Sequence, residues 1–178
     1  MYDGELVRFR ALEPGDAERM LGWINDPDVT SGLAVRYPMS LANEVEWVET
    51  NKSLNYGNAV FAVETIADAL HIGGIDIRTH AGPENRKGEL GLMIGDKSVW
   101  GQGYGKDMVR TACRFGFEEM NLHRIELWVH GTNERATHVY ESVGFVREGV
   151  ARDGWYQGGR YVDMVLMGML RSEFRAGA

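Results

Sequence analysis

The residues best suited to chemistry sit together in Trp100-Gly101-Gln102-Gly103-Tyr104-Gly105-Lys106. Three glycines at alternate positions let a backbone turn tightly and approach a ligand closely. The segment follows a predicted strand and precedes a predicted helix. The first N–H groups of a helix have no partner within it and attract anions. A phosphate-bearing ligand is therefore the natural occupant, and a plain flexible strand-to-helix connection is the weaker reading. Two common phosphate motifs do not fit. A Walker A loop needs glycine five residues before the Gly-Lys pair and Ser or Thr after it. Here those positions are Trp100 and Asp107. A dinucleotide fingerprint counted from Gly101 would need its third glycine where Lys106 stands.

A second segment follows thirty residues on, Asn133-Glu134-Arg135-Ala136-Thr137-His138-Val139-Tyr140-Glu141-Ser142-Val143-Gly144-Phe145. Its Ala136, Val139, Tyr140 and Val143 recur at helical spacing. The order and content of the two segments resemble the GNAT N-acetyltransferase superfamily. That family has Q/R-x-x-G-x-G/A at its pyrophosphate loop and N-x-x-A-x-x-x-Y-x-x-x-G-F further on. The first position of the loop pattern is Trp100 here, a departure that removes a polar contact. Gly88-Glu89-Leu90-Gly91-Leu92 is similar to the strand that flanks the cofactor in the family. Gly144–Gly149 and Gly159–Asp163 are similar to the RimJ/RimL-like branch, which also resembles spermidine acetyltransferases. The resemblance runs from about Leu6 to Leu170.

This resemblance implies an acetyl-CoA-dependent N-acetyltransferase that moves an acetyl group to a primary amine by direct attack in a ternary complex. It implies that the backbone of Leu92, Met93 and Ile94 faces the thioester and pantetheine arm. Gln102, Gly103, Tyr104, Gly105 and Lys106 would hold the diphosphate. Asn133 would bind the pantetheine arm or order the site, and Arg135 would reach a phosphate or lie solvated on its helix. Tyr140 would be the general acid at the sulfur; as an aromatic on an apolar stripe it also reads as core. Glu89 is the candidate base, directly or through water, with a structural carboxylate as the other reading. The chemistry needs such groups. An alkylamine has a pKa of about 10.4 and must lose a proton before it attacks. The charge that develops on oxygen needs donors, and a thiol of pKa about 8.5 is a fair leaving group that gains from a proton donor.

The elements that must position these residues are legible in the periodicity. Leu6–Arg10, Ala59–Val63, His71–Arg78, Glu89–Ile94 and Arg124–His130 read as strands. In the last of these, Ile125, Leu127 and Val129 point one way and Glu126, Trp128 and His130 the other. Pro14 and Asp16 open a helix bearing Ala17, Met20, Leu21 and Ile24, stopped by Asn25-Asp26-Pro27-Asp28. Ser40 caps a second helix bearing Leu41, Val45 and Val48. Gly103–Met120 is a third, with Val109, Ala112, Cys113 and Phe117 inward. Thr79–Lys87, with Gly82 and Pro83, reads as a loop. Closing strands near Phe145–Ala151 and Tyr161–Leu170 flank a turn containing Gly154, Gly158 and Gly159. The expected fold is α/β (α+β): a mixed, mostly antiparallel sheet flanked by helices.

The chain has 178 residues, 44% hydrophobic and 25% charged, with a net charge of −7. That fits one domain over 1–178 and argues against a nucleic-acid partner, which needs a basic surface. One cysteine, Cys113, rules out an internal disulfide and reads as buried. No metal-ligand spacing links His71, His80, His123, His130 and His138, although His130 lies close enough to Asn133 to face the site. Trp23, Trp47, Trp128 and Trp155 read as packing residues. The expected setting is the cytoplasm without a membrane anchor, and a homodimer is compatible. Over Glu13–Glu49 eight acidic residues face two basic ones, Arg19 and Arg36. Hence a cationic acceptor is expected: a polyamine, another small amine or a peptide N-terminus. A solvated helix face is the plainer meaning of that run. A non-catalytic acyl-CoA-binding module of the same fold is the alternative function.

Overall fold

Strands whose consecutive side chains point to opposite faces can feed two cores at once. The computed structural model describes residues 1–33, 35, 37–51, 57–79 and 83–175; Arg36, His80 and Gly82 lie outside the described residues. Its strands are β1 (Tyr2–Asp3), β2 (Val7–Arg10), β3 (Asn58–Thr65), β4 (His71–Arg78), β5 (Lys87–Ile94), β6 (Arg124–His130), β7 (Val146–Gln157) and β8 (Arg160–Leu170). They form one sheet in the order β1-β2-β3-β4-β5-β6-β8-β7. Neighbours are antiparallel except β5 and β6, which are parallel. This is the mixed, mostly antiparallel sheet that the sequence predicts.

The helices are α1 (Ala17–Ile24), α2 (Pro27–Thr30), α3 (Leu41–Asn51), α4 (Tyr104–Glu118) and α5 (Glu134–Val143). On one face of the sheet, Phe61, Ile75, Ile77, Leu90, Ile125 and Leu127 pack with Val109, Ala112, Cys113 and Phe117 of α4. On the other, Val60 and Ala62 pack with Ala17, Met20 and Val48 of α1 and α3. Residues 59 to 63 of β3 thus alternate between the two cores.

Three local expectations are corrected. Asn25–Asp28 ends α1 but also starts α2: Asp26 Oδ1 accepts from Asp28 N at 2.9 Å and Pro27 follows it. An Asp-Pro pair is both a stop and a helix start, because proline suits the first helical position. On α3, Ser40 caps as expected, accepting from Asn43 N at 3.2 Å. However, Leu41 and Val45 are exposed, and the inner face is Glu44, Val48 and Asn51. In the late hairpin, Gly158 and Gly159 turn the chain with φ of +59° and +82°, but Gly154 lies within β7 at an irregularity between Ala151 and Trp155.

Asp107 in the first turn of α4 is buried and accepts from three backbone N–H groups: Glu5 at 3.0 Å, Leu6 at 2.7 Å and Val7 at 3.0 Å. It laces the chain entering β2 to the start of α4. At the joint of β5 and β6, Glu126 binds Lys87 Nζ at 2.7 Å and Arg124 Nε at 2.9 Å, while Arg124 also pairs with Glu148.

Two stability predictions follow from these carboxylates. Asp107→Ala leaves three N–H groups without their partner, so urea unfolding should show a loss of about 2–3 kcal/mol, with a smaller loss for Asp107→Asn. Burial opposes ionisation of Glu126, but Lys87 and Arg124 outweigh it and hold the carboxyl below its ordinary value of 4.5; Arg124 does the same for Glu148. A folded-state pKa that is depressed gives stability present above the unfolded value and lost as pH falls through the folded one. The urea midpoint should therefore drop as pH falls below 4.5, and Glu126→Gln should flatten that acid limb.

Candidate active site

β5 and β6 pair over only Lys87–Glu89 and Arg124–Glu126. Beyond them β5 continues to Ile94 against β4 alone, and β6 continues to His130 against β8 alone. The N–H and C=O groups that face the gap have no strand partner. Into that gap opens a cleft of about 1120 Å³, closed at one end by the glycine turn and α5. Alternation gives the cleft two sides. Leu92, Ile94, Leu127 and Val129 belong to the core beneath α4. Glu89, Met93, Trp128 and His130 face the opposite way and also line the cleft.

The turn is built as its glycines demand. Gly101 and Gly103 have φ of +79° and +91°, and Gly103 is the residue before α4. The first rung of the helix is Asp107 N to Gly103 O at 3.1 Å. The N–H groups of Tyr104, Gly105 and Lys106 therefore head a helix without intrahelical acceptors. A Cβ on Gly105 would stand 3.2 Å from Ile94 Cδ1, so the turn sits tightly on the end of β5. Gly103, Gly105 and Lys106 line the cleft. The side chains of Gln102 and Tyr104 do not contribute to its lining: the Gln102 amide donates to Ser98 O at 2.6 Å, and Tyr104 packs against the core. This leaves those two residues with backbone roles.

Trp100 replaces the polar residue of the loop pattern. Its indole N–H donates to Ile94 O at 3.0 Å, and its ring carries the Arg135 guanidinium at 4.7 Å from the centroid. A cation arriving from α5 thus stands over the position where the loop pattern would supply a polar side chain. The signal was present in the sequence as Trp at 100 and Arg at 135, but nothing in the spacing joins them. Asn133 caps α5 by accepting from Ala136 N at 3.1 Å, and its amide nitrogen lies against Gly32, where a Cβ would stand at 2.7 Å.

Tyr140 lines the cleft on the α5 side, edge-on to Phe145 with centroids 5.8 Å apart. Burial pushes its hydroxyl up to about 12, so it stays protonated through neutral pH. Glu89 lines the other side and lies opposite Arg78 in the β4 register. His130 is buried in the cleft wall, and burial lowers its pKa, leaving the imidazole neutral at pH 7. Cys113 is fully buried beneath the sheet, outside the cleft, and burial pushes its thiol up. Among the described residues no group of three or more His, Cys, Asp or Glu could hold a metal ion, and no helix is long and apolar enough to cross a membrane.

Half of the acidic front end is engaged within the fold. Asp16 binds Arg10 through two contacts of 2.8 Å, and Lys97 binds Asp26 at 2.7 Å and Asp28 at 3.0 Å. Glu44 is buried. Arg10 and Lys97 lie outside Glu13–Glu49, so a count over that window overstates the field. Asp28 and Glu89 are the carboxylates that line the cleft among the described residues.

A helix start open to a diphosphate, beside two strand edges without strand partners, suits a carrier that has a diphosphate and an extended polar arm. Residues 7–146 match the family described as acetyltransferase (GNAT) domain. The chain belongs to this family and is an N-acetyltransferase that uses acetyl-CoA as cosubstrate. It is similar to YdaF of Bacillus subtilis, provisionally named a ribosomal N-acetyltransferase, at 30% identity over 96% of this chain and 94% of that one. It is also similar to the spermidine N(1)-acetyltransferase of Vibrio cholerae, at 28% identity over 94% of this chain and 95% of that one. The crystal structure of spermidine N-acetyltransferase from Vibrio cholerae in complex with CoA and spermine superposes with a TM-score of 0.84, at 28% identity, over 94% of this chain and 96% of that one.

If Trp100 presents Arg135, the two act as one unit. Calorimetric titration with coenzyme A should show affinity about three- to tenfold weaker for Arg135→Ala and for Trp100→Leu, with the double variant no worse than the single ones.

Proposed function

We propose that the acceptor amine attacks directly, with Tyr140 and Glu89 serving the reaction from opposite sides of the gap. The observation that carries this is the parting of β5 from β6, with Glu89 lining one side of the opening and Tyr140 the other. Acetyl-CoA supplies the acetyl thioester. The backbone of Leu92, Met93 and Ile94 orients it and offers N–H groups to the charge that develops on oxygen. The N–H groups of Gly103, Tyr104, Gly105 and Lys106 hold the diphosphate, with the Gln102 backbone shaping the turn. Arg135 adds a cation there, and Asn133 orders the pantetheine side. Glu89 takes the proton from the incoming ammonium, directly or through water.

Tyr140 donates a hydrogen bond to the departing sulfur. Its hydroxyl, at about 12, is a weaker acid than a thiol of about 8.5. Its chief effect is thus to stabilise the thiolate by donation, with complete proton transfer uphill. This refines the expected general-acid role.

The name carried by YdaF and the coverage of nearly its full length support a RimJ/RimL-like enzyme, one domain over 1–178, acting in the cytoplasm. The acceptor class includes polyamines, other small amines and peptide N-termini, the spermine complex of the Vibrio cholerae relative supporting the first. Val146 and Val150, exposed on the edge strand β7, support a homodimer.

Thiol release from acetyl-CoA across a panel of amines and peptides tests the activity. Tyr140→Phe should lower kcat about ten- to a hundredfold with little change in the KM for acetyl-CoA. Unchanged turnover would remove Tyr140 from the chemistry.

A further inference from the structure

The side of the cleft away from α4 carries a group of aromatic side chains beside Glu89. Trp128 and His130 project from β6, Met164 lies opposite His130 in the β8 register, and Trp155 comes from β7. Trp128 remains 44% exposed, so its ring face is open to a ligand in the cleft. Trp155 is brought there by the irregularity in β7. Ala151 pairs with Met164 and Trp155 with Val162, so four steps along β7 answer two along β8. Asp153, at φ +52°, anchors the excursion through its N–H to Asp163 Oδ1 at 2.9 Å. Gly154 fits where a Cβ would meet Ala151 O at 3.0 Å. A bulge beside an active site commonly re-aims a side chain, and here the Trp155 ring arrives 5.9 Å from that of His130.

Charge completes the case. Among the described residues two carboxylates line the cleft, and one of them, Asp28, shares Lys97 with Asp26. An aromatic face holds a cation and an apolar body without a carboxylate of its own. Resting on the acetyl-transfer reading above, we propose that Trp128, His130 and Trp155 form an acceptor subsite for a single amine carried on an aromatic or bulky apolar body. That chemistry occurs in a free arylalkylamine and in a peptide whose first residue is aromatic.

Thiol release and calorimetry together test it, using 2-phenylethylamine, the peptide Phe-Gly-Gly and spermidine with the full chain. One of the two aromatic amines should exceed spermidine in kcat/KM by about tenfold or more, the faster one identifying the source. Trp155→Ala should cost that substrate about tenfold, Trp155→Phe should recover most of the loss, and coenzyme A affinity should stay unchanged in both. Calorimetry on the coenzyme A complex should show 2-phenylethylamine or the peptide binding, weakened in Trp155→Ala. Preference for spermidine, or indifference of a folded Trp155→Ala or Trp155→Phe variant, would overturn the subsite and leave acetyl transfer standing. Binding that depends on Trp155 with no thiol release from any amine would uphold the subsite and overturn the transfer reading.

Discussion

β5 and β6 share three rungs and then separate, and the chemistry depends on that separation. Backbone groups that lose their partners inside a protein must find others. In this fold they line a cleft wide enough for a long, polar, extended ligand. The separation also sorts the side chains. Strand alternation sends Leu92 and Ile94 to the core and turns Glu89, Met93 and His130 the other way, so one cleft has two differently furnished sides. The divergence is held at its closed end by Lys87, Arg124, Glu126 and Glu148, whose charges bind the strands where their hydrogen bonds are about to stop.

Much of this was legible in the sequence because it is local. Glycines at 101, 103 and 105 can be read as a turn, since φ values that only glycine adopts easily are a property of one residue. The apolar period of α4 and the alternation of β6 are equally local. The alternation of β3 also feeds two cores, a division that only the packing of α1, α3 and α4 discloses. What escaped the reading depended on partners far along the chain. The exposed Leu41 and Val45 sit on a helix whose inner face is set by α1 and by β3, and short apolar spacing could not show that Glu44 would turn inward.

Charge shows the same limit. Eight carboxylates in one window suggested a field, but Arg10 and Lys97, outside the window, pair with three of them. Trp100 looked like a loss at the loop, yet it carries Arg135 from another helix. Trp155 looked like packing, and its place in the cleft comes from a register irregularity that composition does not disclose. In each case the sequence showed the residue and the fold supplied its companion. Asp107 illustrates the reverse: it does not fit a phosphate motif and instead laces the entry to β2 onto the glycine-rich turn.

The sheet is joined at one end and open at the other, like tongs riveted near Glu126. β1 to β5 form one arm and β6 to β8 the other. Beneath the gap α4 packs on both arms, through Ile75, Ile77 and Leu90 on one side and Ile125 and Leu127 on the other. The jaws are thus parted at their edges and bridged at their back, so an occupant of the gap sits between strands that one helix already ties together.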